Sequence, residues 1–447
     1  MNSEQKHNQS QSPKSPCGGF RGLEVCSYII QFLLNVNDSS EVGYTTDETE
    51  FHRYKVVIYP SEFFNETVYG TEKSLPKLPL SNFEEIPVLF GEPKTERKGD
   101  TLILHTDIIA GTYFLISRYE EMVRRDVRDA HGRFVGKESL PFRAGFIHRP
   151  IVDEYGKLLR KLLREQGVDV QEPNAEFNKI YLTCDVDNIA RYRTLRGVLA
   201  ALLKNRSELK TALKSYFGSI ENDPWFTFEW ILTQNFSLNK HRDNAETIFF
   251  IKTKGGNYQE DKPNQDVSDE DYRLLFDYLR RNYVHIGLHA SYEAGFFPQL
   301  ILSEKKLLEQ ASGTKINCNR HHYLASREPE DMQALIKAEI FDDFTLGYAD
   351  IAGFRLGTCR AVRWINPATR ELTQLVLHPL TMMDGSLSNS QYMNLSKSEA
   401  YDYAVKLIDE TKKYSGDLCL LWHNSTVVEG VGYHRSLYAK LIEYLKK

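Results

Sequence analysis

Six ionisable residues follow apolar runs with the composition of β-strands. Asp185 and Asp187 come after Lys179-Ile-Tyr-Leu-Thr183, His285 and His289 bracket the end of Val284-His-Ile-Gly-Leu288, Arg320 follows Thr314 to Cys318, and His423 follows Leu418-Cys-Leu-Leu-Trp422. Residues two apart on an extended segment point the same way, so the carboxylates of Asp185 and Asp187 can face one cavity. Paired carboxylates can divide labour, one holding a cation while the other takes a proton. The H-x-x-x-H spacing of His285 and His289 offers two imidazoles, common ligands of transition metals. An Asp from another strand end completes a His-His-Asp set, and three ligands with an open position are what a catalytic zinc-type site requires. Each feature alone has a plainer reading. D-x-D occurs in strand-to-loop turns, a lone His is often a hydrogen-bonded core residue, His423 could simply pack beside Trp422, and arginine is usually a surface cation. The combination is what points to a site.

Such residues meet only if the fold brings strand ends together. From residue 175 to 447 the runs above, with Thr247-Ile-Phe-Phe-Ile251, alternate with helical stretches around 269–282, 298–312, 329–339 and 397–414. That alternation predicts a parallel sheet, open or closed into a barrel, whose strand carboxyl ends converge on one face. A long insertion at 195–240, rich in Lys and aromatics, reads as helical and carries no legible chemistry. Residues 21–174 read as a smaller α/β domain, with helical spacing at 25–36, 107–121 and 152–166 and a strand near 54–59. The polar stretch 165–174 is the expected domain boundary, and the Ser/Gln-rich residues 1–20 are expected to be disordered.

A chain of 447 residues fits two domains, and 41% hydrophobic with 26% charged residues is globular composition. Lys+Arg 56 against Asp+Glu 61 leaves a net charge of −5, which excludes nucleic acid as the default partner. Aromatics at 12% fit either a Phe-rich core or platforms for sugar rings. The six cysteines show no C-x-x-C pair and no disulfide framework, so a reducing compartment is expected. The apolar run 28–36 is too short to span a bilayer and no signal-peptide pattern precedes it, so no membrane span and a cytoplasmic location are expected.

The series Thr183-Cys-Asp-Val-Asp187, His285-x-x-x-His289, Arg320-x-His-Tyr323 and Leu421-Trp-His423 resembles the motifs of the polysaccharide deacetylases of carbohydrate esterase family 4. Together with Phe114-Leu-Ile-Ser-Arg-Tyr-Glu-Glu121 and Arg149-Pro-Ile-Val-Asp-Glu154, it resembles a bacterial subgroup of these proteins with an N-terminal domain of unknown function. The deacetylase resemblance covers about residues 178–447. It implies a distorted (β/α) barrel, a divalent metal (zinc first) on Asp187, His285 and His289, Asp185 as base, His423 as acid and Arg320 tuning the base. Asp342 or Asp343 would orient the acid, and Tyr323 and Trp422 would border the substrate. The chain departs from the family pattern in three places. Val186 separates two aspartates that are usually adjacent, which leaves their roles open to exchange. Ile286 stands where a hydroxyl is usual, and His322 replaces a proline as an additional polar group near the metal.

The implied activity is metal-dependent removal of an acetyl group, N-acetyl before O-acetyl, from a sugar or polysaccharide precursor. Three other readings stand beside it: an inactive deacetylase-like glycan binder, a phosphatase with Asp185 as nucleophile, and a glycosyltransferase holding a metal diphosphate on Asp-x-Asp.

Overall fold

The computed structural model describes residues 19–37, 39–204, 206–253, 256–263 and 266–447. Most of the stretch expected to be disordered, up to residue 18, lies outside them.

The N-terminal region carries β1 (Val42–Tyr44), β2 (Val56–Ile58), the small hairpin β3 (Ser81–Phe83) and β4 (Ile86–Val88), then β5 (Gly91–Lys98) and β6 (Thr101–Thr106). Four of these form a sheet in the order β1-β2-β6-β5, parallel except for β5. The helix Ile151–Glu165 buries Ile151, Tyr155, Leu158, Leu159 and Leu162, a three-to-four spacing that gives it one apolar face. One helix is expected over 107–121, but the structure has two, Ile108–Ile116 and Tyr119–Val123. Asp107 caps the first by accepting from Ala110 N, and Arg118 in the left-handed conformation (φ 63°) breaks the run. That turn lets the buried Arg118 guanidinium reach the loop at Ser326 in the C-terminal region.

The second sheet has nine strands: β7 (Lys179–Val186), β8 (Ala245–Ile251), β9 (His285–Ala290), β10 (Cys318–His321), β11 (Asp342–Asp343), β12 (Val362–Asn366), β13 (Glu371–Leu377), β14 (Met382–Met383) and β15 (Asp417–His423). Their order is β12-β13-β11-β10-β9-β8-β7-β15-β14, and every pairing is parallel except β12 with β13. The interior strand β7 is buried from Ile180 onward, as expected where both faces of a parallel sheet are covered. Among the described residues no ladder joins β12 to β14. The expected parallel α/β sheet is therefore present and open, with no closed barrel among the described residues. The antiparallel β12 ends one edge, and the other ends on the two-residue β14. The 195–240 insertion is helical, as Leu195–Lys204, Leu209–Phe217 and Phe228–Asn239.

One continuous apolar core runs through both regions, joining Leu33, Leu104, Ile109 and Leu159 to Leu182, Phe249, Leu377 and Leu441. Buried polar bonds reinforce the junction: the Asp153 carboxylate accepts from Thr358 Oγ1 (2.9 Å), Cys359 N (2.9 Å) and Arg360 Nε (2.6 Å). Among the described residues, Cys184, Cys318, Cys359 and Cys419 are buried free thiols. Among the described residues no helix is long and apolar enough to cross a membrane.

Register sets the chemistry. Asp185 pairs across with His423 on one side and Phe250 on the other, Phe250 pairs with Gly287, and His289, two residues further on, pairs with Arg320, so these side chains leave one face of the sheet at adjacent levels. Gly287, midway between the two histidines of β9, makes room for this arrangement. A Cβ there would stand 2.5 Å from the Phe250 ring and 2.9 Å from Cys318 Sγ. Phe250 in turn lies 4.4 Å beneath the Arg320 guanidinium. Gly287→Ala should cost about 1–3 kcal/mol by overpacking, read as a lower urea midpoint at unchanged slope; an unchanged midpoint would show that Phe250 yields freely.

Candidate metal centre

Asp187, His289 and His322 each present one donor atom, and all three donors lie within 4.8 Å of one another. Asp187 Oδ1 is 3.2 Å from His289 Nε2 and 3.3 Å from His322 Nε2. The far side of each ring fixes its tautomer. His289 Nδ1 faces the Arg320 carbonyl at 2.9 Å and must donate to it, which leaves the Nε2 lone pair turned to the cluster. His322 Nδ1 likewise donates to Asp261 Oδ1 at 3.0 Å. Asp261 is itself held by the backbone N–H groups of Tyr292 (2.8 Å) and Glu293 (3.0 Å). Two oriented Nε2 atoms and a carboxylate oxygen aimed at one point are a donor set that fits a zinc-type ion with positions left open.

Charge follows the same plan. Burial opposes ionisation of Asp187, but the imidazoles of His322, His289 and His423 hold its carboxyl well below the usual range. Burial pushes His322 below the ordinary imidazole value against the pull of Asp187 and Asp261, which favours the neutral form that ligates. The Lys252 ammonium is buried just beyond the end of β8 and donates to the Asp261 carbonyl at 3.1 Å.

Beside the cluster stands Asp185. Its Oδ1 accepts from Arg320 Nη1 at 2.8 Å, while its Oδ2 lies 3.7 Å from His289 Nε2. Arg320 is fully buried and also donates from Nη1 to Thr183 Oγ1 (2.6 Å) and from Nε to the Phe344 carbonyl (3.0 Å). His423 completes the group. Its Nδ1 donates to Asp384 Oδ1 at 2.8 Å, and its backbone N–H donates to Asp384 Oδ2 at 2.9 Å. Burial opposes charge on this ring, but Asp384, aided by Asp187 and Asp185, pushes it up to about 10.

Three expectations are corrected. His285 does not join the cluster: it opens β9, is largely exposed, and its Nδ1 pairs with Glu246 at 2.7 Å. On one extended strand, positions four apart are separated by about 13 Å, too far to share an ion, and His322 supplies the second imidazole instead. Trp422 does not border a substrate, because strand alternation turns it away from His423 into the core, 5.1 Å from the Tyr438 ring. Asp342 and Asp343 do not orient His423. Asp343 accepts from Asn319 and Thr345, Asp342 pairs with His378, and Asp384 takes the role. Tyr323 is 38% exposed next to His322, with its ring 5.0 Å from that of His131. Asp261 and Asp384 carry no signal in the sequence.

In a zinc titration followed by calorimetry, His322→Ala, His289→Ala and Asp187→Asn should each lose binding, whereas His285→Ala should keep it. Retention by His322→Ala with loss by His285→Ala would refute this ligand set. A pH effect follows from the His423–Asp384 pair. Because His423 titrates in the folded chain near 10, above about 6.5 for a free imidazole, its stabilisation is complete below the lower value and is lost as pH rises toward the higher. In metal-free protein the stability advantage over Asp384→Asn should therefore shrink from pH 6.5 to 10 in urea unfolding; a constant gap would contradict it.

Residues 23–168 match the model of DUF7033, a family of unknown function. No curated protein matches the chain. Among solved structures, the chain is similar to a "putative polysaccharide deacetylase from Mycobacterium smegmatis", at 12% identity and a TM-score of 0.40, over 62% of this chain and 86% of that one. A likeness of that size leaves the geometry of the site to carry the functional reading.

Proposed function

We propose that the protein is a metal-dependent hydrolase that removes an acetyl group, N-acetyl before O-acetyl, from a sugar or polysaccharide precursor, with zinc as the ion and the cytoplasm as the place. The observation that carries this reading is the convergence of Asp187, His289 and His322 beside a second carboxylate and a carboxylate-held imidazole. In this reading residues 175–447 form the deacetylase unit, whose sheet curves as a distorted barrel without its edges pairing.

When bound, the ion supplies a Lewis acid that lowers the pKa of water and polarises the acetyl carbonyl. The chain's own residues do the rest. Arg320 occupies Asp185 Oδ1 and keeps the carboxylate oriented, so Oδ2, on the side of the cluster, is the atom that accepts a proton as water adds to the carbonyl carbon. His423, with Nδ1 committed to Asp384, holds its transferable proton on Nε2 and gives it to the departing amine nitrogen as the C–N bond breaks. The charge of Asp384 keeps that proton in place at neutral pH. Tyr323, exposed at the rim, offers an aromatic face to a sugar ring. The phosphatase and glycosyltransferase alternatives leave His289 and His322 without a role.

Zinc-loaded protein should release acetate from at least one member of a panel of N- and O-acetylated saccharides. Asp185→Asn and His423→Ala should each lower kcat by about 100-fold or more while still binding zinc. Zinc-loaded protein that releases no acetate from any member would overturn the proposal, and so would full turnover by either variant.

A further inference from the structure

His322 opens a loop whose backbone is constrained from the N-terminal region. Tyr323 (φ 61°) and Leu324 (φ 54°) both adopt the left-handed conformation, which side-chain-bearing residues hold only where the surroundings enforce it. The enforcing groups come from residues 118–133. Arg133 Nη1 donates to the Tyr323 carbonyl at 2.8 Å, and its other nitrogens donate to Asp129 Oδ2 (2.8 Å) and Tyr392 Oη (3.0 Å). Arg118 donates to Ser326 Oγ and the Ser326 carbonyl, both at 2.9 Å, and to the Arg327 carbonyl at 3.3 Å. Arg327 Nε returns a bond to the His131 carbonyl at 2.9 Å.

The turn that carries Arg133 is itself rigid. Asp129 Oδ1 accepts from the backbone N–H groups of His131 and Arg133, both at 2.9 Å. Gly132 (φ 72°) lets the turn lie flat on Arg327, where a Cβ would stand 2.8 Å from Nε. Arg133 and Arg118 are both buried, so these forks are not loose surface contacts.

We infer that the turn Asp129–Arg133 is part of the metal centre's support, with Arg133 a positioning residue that fixes His322 through the Tyr323 carbonyl. The inference rests on the metal reading above and deepens it. The N-terminal region thereby acquires a role, which is to hold in place the second imidazole ligand of a site whose other two ligands lie on β9 and just beyond β7. The catalytic unit is then the whole chain rather than the nine-stranded sheet alone.

The test is zinc affinity of the full chain, measured by competition with a chromophoric chelator. Arg133→Ala should weaken zinc about tenfold, the lower end of the loss seen when a ligand's supporting group is removed. Arg133→Lys, which keeps the charge but not the fork, should weaken it less. Arg149→Ala, which breaks an N-terminal ion pair to Glu154 unconnected with the loop, should bind as the wild type does. If Arg133→Ala does not fold, the comparison of Arg133→Lys with Arg149→Ala decides. Wild-type affinity in the folded Arg133 variants, or an equal loss in Arg149→Ala, would overturn the inference and leave the metal reading intact. A wild-type chain that binds no zinc would instead overturn the metal reading, and this inference with it.

Discussion

The buried guanidinium of Arg320 is the constraint on which the site depends. It touches Thr183 and Asp185 on β7, the Phe250 ring on β8, the Phe344 carbonyl beyond β11 and Cys419 on β15. Its own carbonyl fixes the His289 ring, and its strand runs directly into His322. One side chain therefore holds the carboxylate, while its backbone orients one imidazole and leads to the other. Leaving either charge of such a buried pair unpaired costs about 3–5 kcal/mol, so the orientation of Asp185 is tied to the stability of the sheet. That cost is the physical reason the proposed base can be held to one geometry.

How much of the site is legible in the sequence depends on which periodicity governs each residue. Asp185 and Asp187 share a face because side chains on an extended segment alternate with period two, and the strand-end positions of His289, Arg320 and His423 follow from parallel α/β topology. The same alternation places Trp422 on the face opposite His423, so a substrate-bordering Trp422 conflicts with the period of its own strand. His285 falls outside the site because H-x-x-x-H brings rings together on a helix or across a turn, whereas β9 runs extended through both positions. His322 stands out in the sequence as a departure from the family pattern, but its role depends on a left-handed turn at Tyr323 that no local spacing signals.

Asp261 and Asp384 show where sequence reading stops. Asp384 follows a two-residue strand, too short for any periodic pattern, and Asp261 lies in a 3₁₀ turn beyond β8. Both act through ring nitrogens of residues distant in sequence, a relation that exists only in the folded chain. The open edges of the nine-stranded sheet are of the same kind: strand count and alternation predict a parallel sheet, but closure depends on what lies beside β12 and β14. The N-terminal region adds a further case, because the arginines that hold the His322 loop look like ordinary surface cations until their burial is seen.

In the proposed site Asp187, His289 and His322 are the ligands of one metal ion, with Asp185 left to its arginine. Anomalous diffraction at the zinc edge from crystals of the zinc-loaded full chain tests this assignment most directly. A single strong peak is expected within bonding distance of Asp187 Oδ1 and the Nε2 atoms of His289 and His322, with the Asp185–Arg320 pair intact. A peak at His285, or zinc bound by Asp185 with Arg320 displaced, would contradict it.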